Sequence, residues 1–152
     1  MTRLLHPQIR HQPDPAHPGW WTWDLPDDER FNGTIGKLLV RGEGAGRARC
    51  RMFLERPHSN LADVAHGGAV LTFIDMAMFA GGYVAGADIA YSVTLDLSAQ
   101  FLSPGRLGKP LDATVELLRE TKRLAIMQGK VVQDGALVAA FSGTLRKAAR
   151  DS

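Results

Sequence analysis

The sequence predicts an α+β fold in which an antiparallel β-sheet wraps around one long central α-helix. Three observations carry that prediction. Residues 67–85 are the longest apolar stretch of the chain, and Asp75 is the only charged residue within it. From residue 93 onward the hydrophobic period changes to two: Val93, Leu95, Leu97, Ala99 and Phe101 alternate with Thr94, Asp96, Ser98 and Gln100, the signature of strands with one oily face. Asp134-Gly135 then marks a tight hairpin between two further strand patterns. A helix that is apolar all round is buried all round, and a curled antiparallel sheet is the economical cover. One such sheet covers only part of a helix, so the pattern also predicts a partner subunit.

Taken in order, residues 1–33 form an arm rich in Pro, His and Trp. Its first 19 residues hold four prolines and three histidines at spacings that match no metal template, so a surface-hugging or flexible segment is expected. Trp20, Trp21 and Trp23 would pin it to the body or to a neighbouring subunit. The main domain spans 34–147, with a short tail at 148–152. Strands are expected through Leu38-Leu39-Val40 and residues 48–54, with Gly42, Gly44 and Gly46 turning between them. The helix is expected over 67–83, its end frayed by Gly81-Gly82. Strands then follow at 93–101, closed by Ser103-Pro104-Gly105, at 111–117, at 124–132 and at 137–145.

Bulk composition excludes several classes. At 152 residues, 45% of them apolar, the chain is one domain with a real core. A formal charge of +2 with scattered basic residues gives no nucleic-acid signature. The single cysteine, Cys50, forbids an internal disulfide and a two-cysteine metal site and fits a reducing compartment. The apolar stretch is interrupted by Thr72, Asp75 and four glycines, which argues against a membrane span. Residues 1–30 have no apolar segment of the signal-peptide kind. A cytoplasmic protein with no metal and no cofactor is expected.

The candidate site lies around "NLADVAHGGAV", residues 60–70. Asp75 has Leu71, Thr72, Met78 and Phe79 as its helical neighbours, so no basic side chain within the helix can pair with it. A lone buried carboxylate costs several kcal/mol. It is therefore either a structural carboxylate satisfied from far along the chain or a general base or nucleophile facing a cleft. Gly67-Gly68 at the helix start leaves backbone N–H groups unshielded, at the positive end of the helix dipole, where an oxyanion can be held. Gly67 and Asp75 are about 12 Å apart along a helix that rises ~1.5 Å per residue, too far to meet one carbonyl group. If both act on one substrate, they come from two subunits packed about a two-fold axis.

Asn60, His66-Gly67-Gly68 and Asp75, followed by a long strand with Thr94 that ends in "FLSPG", resemble the hotdog-fold acyl-CoA thioesterases of the phenylacetate-pathway (PaaI-like) branch over roughly residues 34–147. The resemblance implies a sheet wrapped round one helix and hydrolysis of an acyl-CoA to free acid and CoA. Gly67 would donate its N–H to the thioester carbonyl, and Asp75 of the facing subunit would activate water or attack directly. Asn60 and Thr94 would position the water or the carboxylate, and His66 would brace the loop. One departure is Asp63, where many relatives have glycine three residues before the histidine. Gly68, Phe79 and Tyr83 are candidate substrate-binding residues; Arg106, Lys109, Lys122 and Arg123, with Arg119, are candidates to meet the charges of CoA. The acyl pocket would draw on Phe73, Met78, Phe79 and Tyr83. A homodimer is required by this scheme, and dimers would pair into a homotetramer through outer sheet faces.

Two other readings share the fold: a non-catalytic acyl-CoA-binding or sensor protein, and a hotdog acyl-CoA hydratase or dehydratase. Residues 1–33 show no helix-turn-helix pattern, and the carboxylate that a sensor could dispense with is present. The histidine leads straight into Gly-Gly and the helix, which favours hydrolysis. No G-x-S-x-G occurs, so a serine hydrolase has no support.

Overall fold

The computed structural model describes residues 3–149. Its one α-helix, α1 (Gly67–Ala85), packs against a seven-stranded antiparallel sheet made of β1 (Trp21–Thr22), β2 (Leu38–Gly42), β3 (Arg47–Phe53), β4 (Val93–Phe101), β5 (Pro110–Glu120), β6 (Leu124–Gln133) and β7 (Ala136–Arg146). The strand order is β1-β2-β3-β5-β6-β7-β4. The strand that follows the helix therefore lies at the far edge, hydrogen-bonded only to β7. Asp134 and Gly135 both take positive φ, 49° and 76°, the primed turn whose twist matches the strands of a β6–β7 hairpin.

Phe73, Ile74, Ala77, Met78 and Ala80 of α1 are fully buried with Cys50, Met52, Val115, Met127 and Leu145 of the sheet. Over an 18-residue window the helix has a mean hydropathy of 1.5, long and apolar enough to cross a membrane, yet 56% of that window is buried inside the fold. Sheet cover explains its composition. The helix does not fray at Gly81-Gly82 but runs to Ala85. Both glycines are buried against the sheet, where a side chain would be crowded: a Cβ on Gly81 would lie 2.6 Å from Val115 Cγ2, and one on Gly82 would lie 3.0 Å from Met127 Sδ. Missing side chains let the helix sit close to the strands. The helix ends instead at Gly86, whose φ of 119° and N–H bonds to the Gly82 and Tyr83 carbonyls form a left-handed cap.

The N-terminal segment adds a strand and an outer clamp. Trp21 and Thr22 pair with Val40 and Leu39. The guanidinium groups of Arg41 (4.4 Å) and Arg51 (4.6 Å) both lie over the Trp20 ring, and Arg51 is itself held by Asp112 at 2.6 and 2.9 Å. Asp14 accepts from Lys37 Nζ at 2.8 Å and from the Ala16 N–H at 3.0 Å. The hydrogen bond from Lys37 is the main cause that holds its carboxyl down at about 2.

Candidate active site

The loop before α1 is built by its own polar groups. His58 is buried; its Nδ1 accepts from the Glu55 N–H (3.0 Å) and its Nε2 lies 2.8 Å from the Thr34 carbonyl oxygen. Asn60 Oδ1 accepts from the Ala62 N–H (2.9 Å) and the Val64 N–H (3.3 Å), an Asx turn. That leaves the side-chain NH₂ of Asn60 without a hydrogen-bond partner among the described residues. Asp63 takes φ 56°, the left-handed conformation a glycine would adopt, so the departure at this position keeps the turn. The Ala65 N–H donates to the Gly105 carbonyl (2.9 Å) and the His66 N–H to the His58 carbonyl (2.7 Å), which fixes the entry into the helix.

His66 is the N-cap of α1: its Nδ1 accepts from the Gly68 N–H at 2.8 Å. In the neutral ring the proton then sits on Nε2. Gly68 is thus spent on the cap. Gly67, the first helical residue, has an N–H with no acceptor among the described residues, and the Phe101 ring lies beside it, 3.6 Å from where its Cβ would be. A free N–H at the positive helix end can donate to an anion.

Asp75 is half-buried and has no ion pair among the described residues. Thr94 Oγ1 donates to its Oδ1 at 2.5 Å. Plain alternation puts Thr94 on the polar face with Asp96 and Ser98, and the structure corrects that. Thr94 stands opposite Leu145 and Asp96 opposite Thr144, so Leu95 is an extra, bulged residue. Directly opposed residues share a face, and Leu145 is fully buried on the helix side. The bulge turns Thr94 toward the carboxylate, a use of bulges that recurs beside active sites.

Asp75 and Thr94 line a half-open cavity of about 380 Å³, with Trp23, Met76, Phe79, Ile89, Tyr91 and Val93. Phe79, one turn beyond Asp75, is in this wall. Phe73 and Met78 are not: they face the sheet and are fully buried in the core. Tyr83 lies a further turn on, its ring 5.7 Å from both Trp23 and His11. The basic candidates separate into two groups. Arg106 is bridged to Val64 beside the Asn60 loop, and Lys109 pairs with Asp134. Lys122 and Arg123 line a surface hollow with Arg146 and Lys147, next to Leu4 and Tyr91; Arg119 is exposed on β5. Sequence reasoning missed the arm residues Leu4, Leu5, His6 and Ile9, which also line the cavity. Their one signal was apolar side chains inside a Pro/His-rich segment. Cys50 is fully buried and burial pushes its thiol far up, so it supplies no nucleophile.

A helix with an open N–H at its start, a hydroxyl-held carboxylate two turns on, and a sheet wrapped round both define the hotdog class. Residues 62–140 match the family model of the thioesterase superfamily. Acyl-coenzyme A thioesterase 13 of Homo sapiens is 28% identical over 99 residues, which cover 62% of this chain and 67% of that one. Among solved structures, a point mutant of the phenylacetic acid degradation protein PaaI from Thermus thermophilus superposes with TM-score 0.65 at 26% identity, over 78% of this chain and 98% of that one. A hypothetical thioesterase from Streptococcus pneumoniae, solved with coenzyme A, has the same fold, with TM-score 0.66 at 20% identity over 78% of this chain and 94% of that one. The chain belongs to the thioesterase superfamily. It is a thioester hydrolase with the PaaI-like hotdog fold.

Proposed function

We propose that the chain is an acyl-CoA thioesterase whose site is shared between two subunits. The observation that carries this reading is the Asp75 carboxylate, free of any ion pair among the described residues, held by Thr94 and lining a half-open, largely apolar cavity. The similarity to the human acyl-coenzyme A thioesterase and the coenzyme A in the pneumococcal structure support CoA as the leaving group. Gly67 and Asp75 lie about 12 Å apart on one helix at ~1.5 Å per residue, so one carbonyl meets the Gly67 N–H of one subunit and the Asp75 carboxylate of the other. The exposed edge strand supports such a pairing: Val93, Leu95 and Phe101 of β4 are 58%, 55% and 52% exposed. An unpaired edge carrying apolar side chains is normally covered. Dimers would associate further into a tetramer, in a cytoplasmic setting.

With Oδ1 occupied by Thr94, Oδ2 of Asp75 takes a proton from water, and the hydroxide oxygen bonds to the thioester carbonyl carbon. The resulting oxyanion accepts from the Gly67 N–H, as in other acyl-transfer sites. The C–S bond then breaks and CoA leaves as thiolate, taking the proton back from Asp75. Direct attack by Oδ2 to give an anhydride uses the same geometry, and label found in Asp75 after a single turnover in ¹⁸O-water would mark the anhydride route with water attacking the Asp75 carbonyl. Thiol release from a panel of acyl-CoAs tests the whole reading. Asp75→Asn should lower kcat by ~10²–10⁴, the range for loss of general-base catalysis, with the oligomer intact by sedimentation. Unchanged turnover in that variant would remove Asp75 from the mechanism.

A further inference from the structure

We infer that the N-terminal arm is a wall of the acyl pocket and sets the size of acyl group the enzyme accepts. This rests on the proposed thioesterase site, because it takes Asp75 and Thr94 as the reacting end of the cavity. Leu4, Leu5, His6 and Ile9 of the arm share that cavity with Asp75 and Thr94. All four lie outside the residues 62–140 that match the family model.

The arm is fastened in register rather than laid loosely on the surface. Arg10 and Asp24 exchange backbone hydrogen bonds (2.8 and 3.1 Å), and the Thr22 N–H donates to the Gln12 carbonyl (2.8 Å). Arg3 donates to the Tyr83 carbonyl and its guanidinium lies 4.8 Å from the Tyr83 ring centre. His6 packs edge-on against Tyr91 at 5.0 Å. Two latches, one at the helix C-terminal turn and one at the strand-forming Trp21–Thr22 segment, therefore hold Leu5 and Ile9 where an acyl tail leaving the Asp75 end would run. A wall fixed in advance selects by shape with little ordering cost on binding.

The lining and volume name the ligand class. Besides Asp75 and Thr94 the wall has His6, Asn32, Tyr91 and Ser92 as polar members, but Leu, Ile, Trp, Met, Phe and Val side chains make up most of the rest, which suits an uncharged hydrocarbon tail. Small-molecule pockets run from ~300 to ~1,000 Å³, and an apolar cavity of ~150 Å³ already accepts benzene. A half-open hollow of about 380 Å³ on one subunit thus has room for an aryl-acetyl or medium-chain acyl group, with the arm as its wall.

The test is kcat/KM across straight-chain acyl-CoAs from acetyl to palmitoyl and phenylacetyl-CoA, for the native chain, Ile9→Trp and Leu5→Ala/Ile9→Ala, each checked for a native-like thermal midpoint. Filling the cavity with Ile9→Trp should lower the hexanoyl-to-acetyl and phenylacetyl-to-acetyl ratios at least tenfold. Opening it with the double alanine variant should move the chain-length optimum to longer acyl groups. A change by the same factor for every acyl group would overturn the inference while leaving the thioesterase reading intact. If the native chain hydrolyses none of these thioesters, that reading fails, and calorimetry with hexanamide and phenylacetamide decides the pocket by itself. Binding to the native chain that is lost in Ile9→Trp upholds it, and no binding to the native chain overturns it.

Discussion

The helix carries a Gly-Gly pair at its first turn and another near its last, in opposite surroundings. At Gly81 and Gly82 a Cβ would strike Val115 and Met127 at 2.6 and 3.0 Å; at Gly67 it would meet only the Phe101 ring, at an ordinary 3.6 Å. Packing within the subunit therefore demands glycine at Gly81, favours it at Gly82, where the flexible Met127 could yield, and does not demand it at Gly67. Gly68 is crowded by its own cap, a Cβ there lying 3.0 Å from His66 Nδ1, so Gly67 alone answers to something the subunit does not contain, and a substrate at the open N–H is the simplest candidate.

Gly67→Pro puts this contrast under the most severe strain. Proline is well tolerated at the first helical position, where the N–H has no helical partner anyway. The residue before it must be extended, and His66 already is, at φ −65° and ψ 134°. Stability should hold while kcat falls ~10²–10³, the loss seen when one oxyanion donor is removed. Full activity with an intact fold would end the oxyanion role of Gly67. Next in size is Gly81→Val, which should cost about 1–3 kcal/mol by overpacking, read as a lower denaturant midpoint at unchanged m-value. Activity per folded molecule should stay near native. Gly81→Ala is the weaker probe, because the roughly 1 kcal/mol that alanine gains in helix propensity offsets part of the clash.

A third substitution separates two jobs of one side chain. His66 caps the helix through Nδ1, so His66→Ala should cost ~0.5–2 kcal/mol, and His66→Asn, which can also cap, should restore most of it. Turnover in the asparagine variant is expected to stay within a few-fold of native. A tenfold loss in a fully stable Asn variant would assign the Nε2–H to the substrate instead.

How far the sequence alone could be read follows from which contacts are local. Gly67 and Asp75 were legible because one helix sets their spacing and no nearby residue could neutralise the carboxylate. The Asp134-Gly135 hairpin was legible because two residues make the turn. Thr94 was placed on the wrong face, since a one-residue bulge at Leu95 inverts the alternation and nothing in a period-two pattern marks it. Gly81-Gly82 suggested a frayed end, because the strands that make their absent side chains useful are more than 30 residues away in the chain. The cavity was the least legible part: it joins residues 4–9 to residues 75–94, and only the folded chain brings them together.

The smallest expected effect bears on the loop that aims the first Gly-Gly pair. Asp63 holds φ 56°, and its N–H donates to the Asn60 carbonyl at 3.0 Å. A left-handed conformation strains most L-residues by ~1–2 kcal/mol, less for Asp, whose short side chain can bond locally. Replacing it with glycine removes that strain but adds ~0.4–1 kcal/mol of unfolded-state entropy. Asp63→Gly should therefore change stability by only a few tenths of a kcal/mol and leave kcat/KM near native. Asp63→Val, with a branched side chain in the same turn, should cost more than about 1 kcal/mol. If the glycine variant is as stable as native yet loses activity, the Asp63 carboxylate itself acts at the mouth of the site, and the loop is more than a mount for His66 and Gly67.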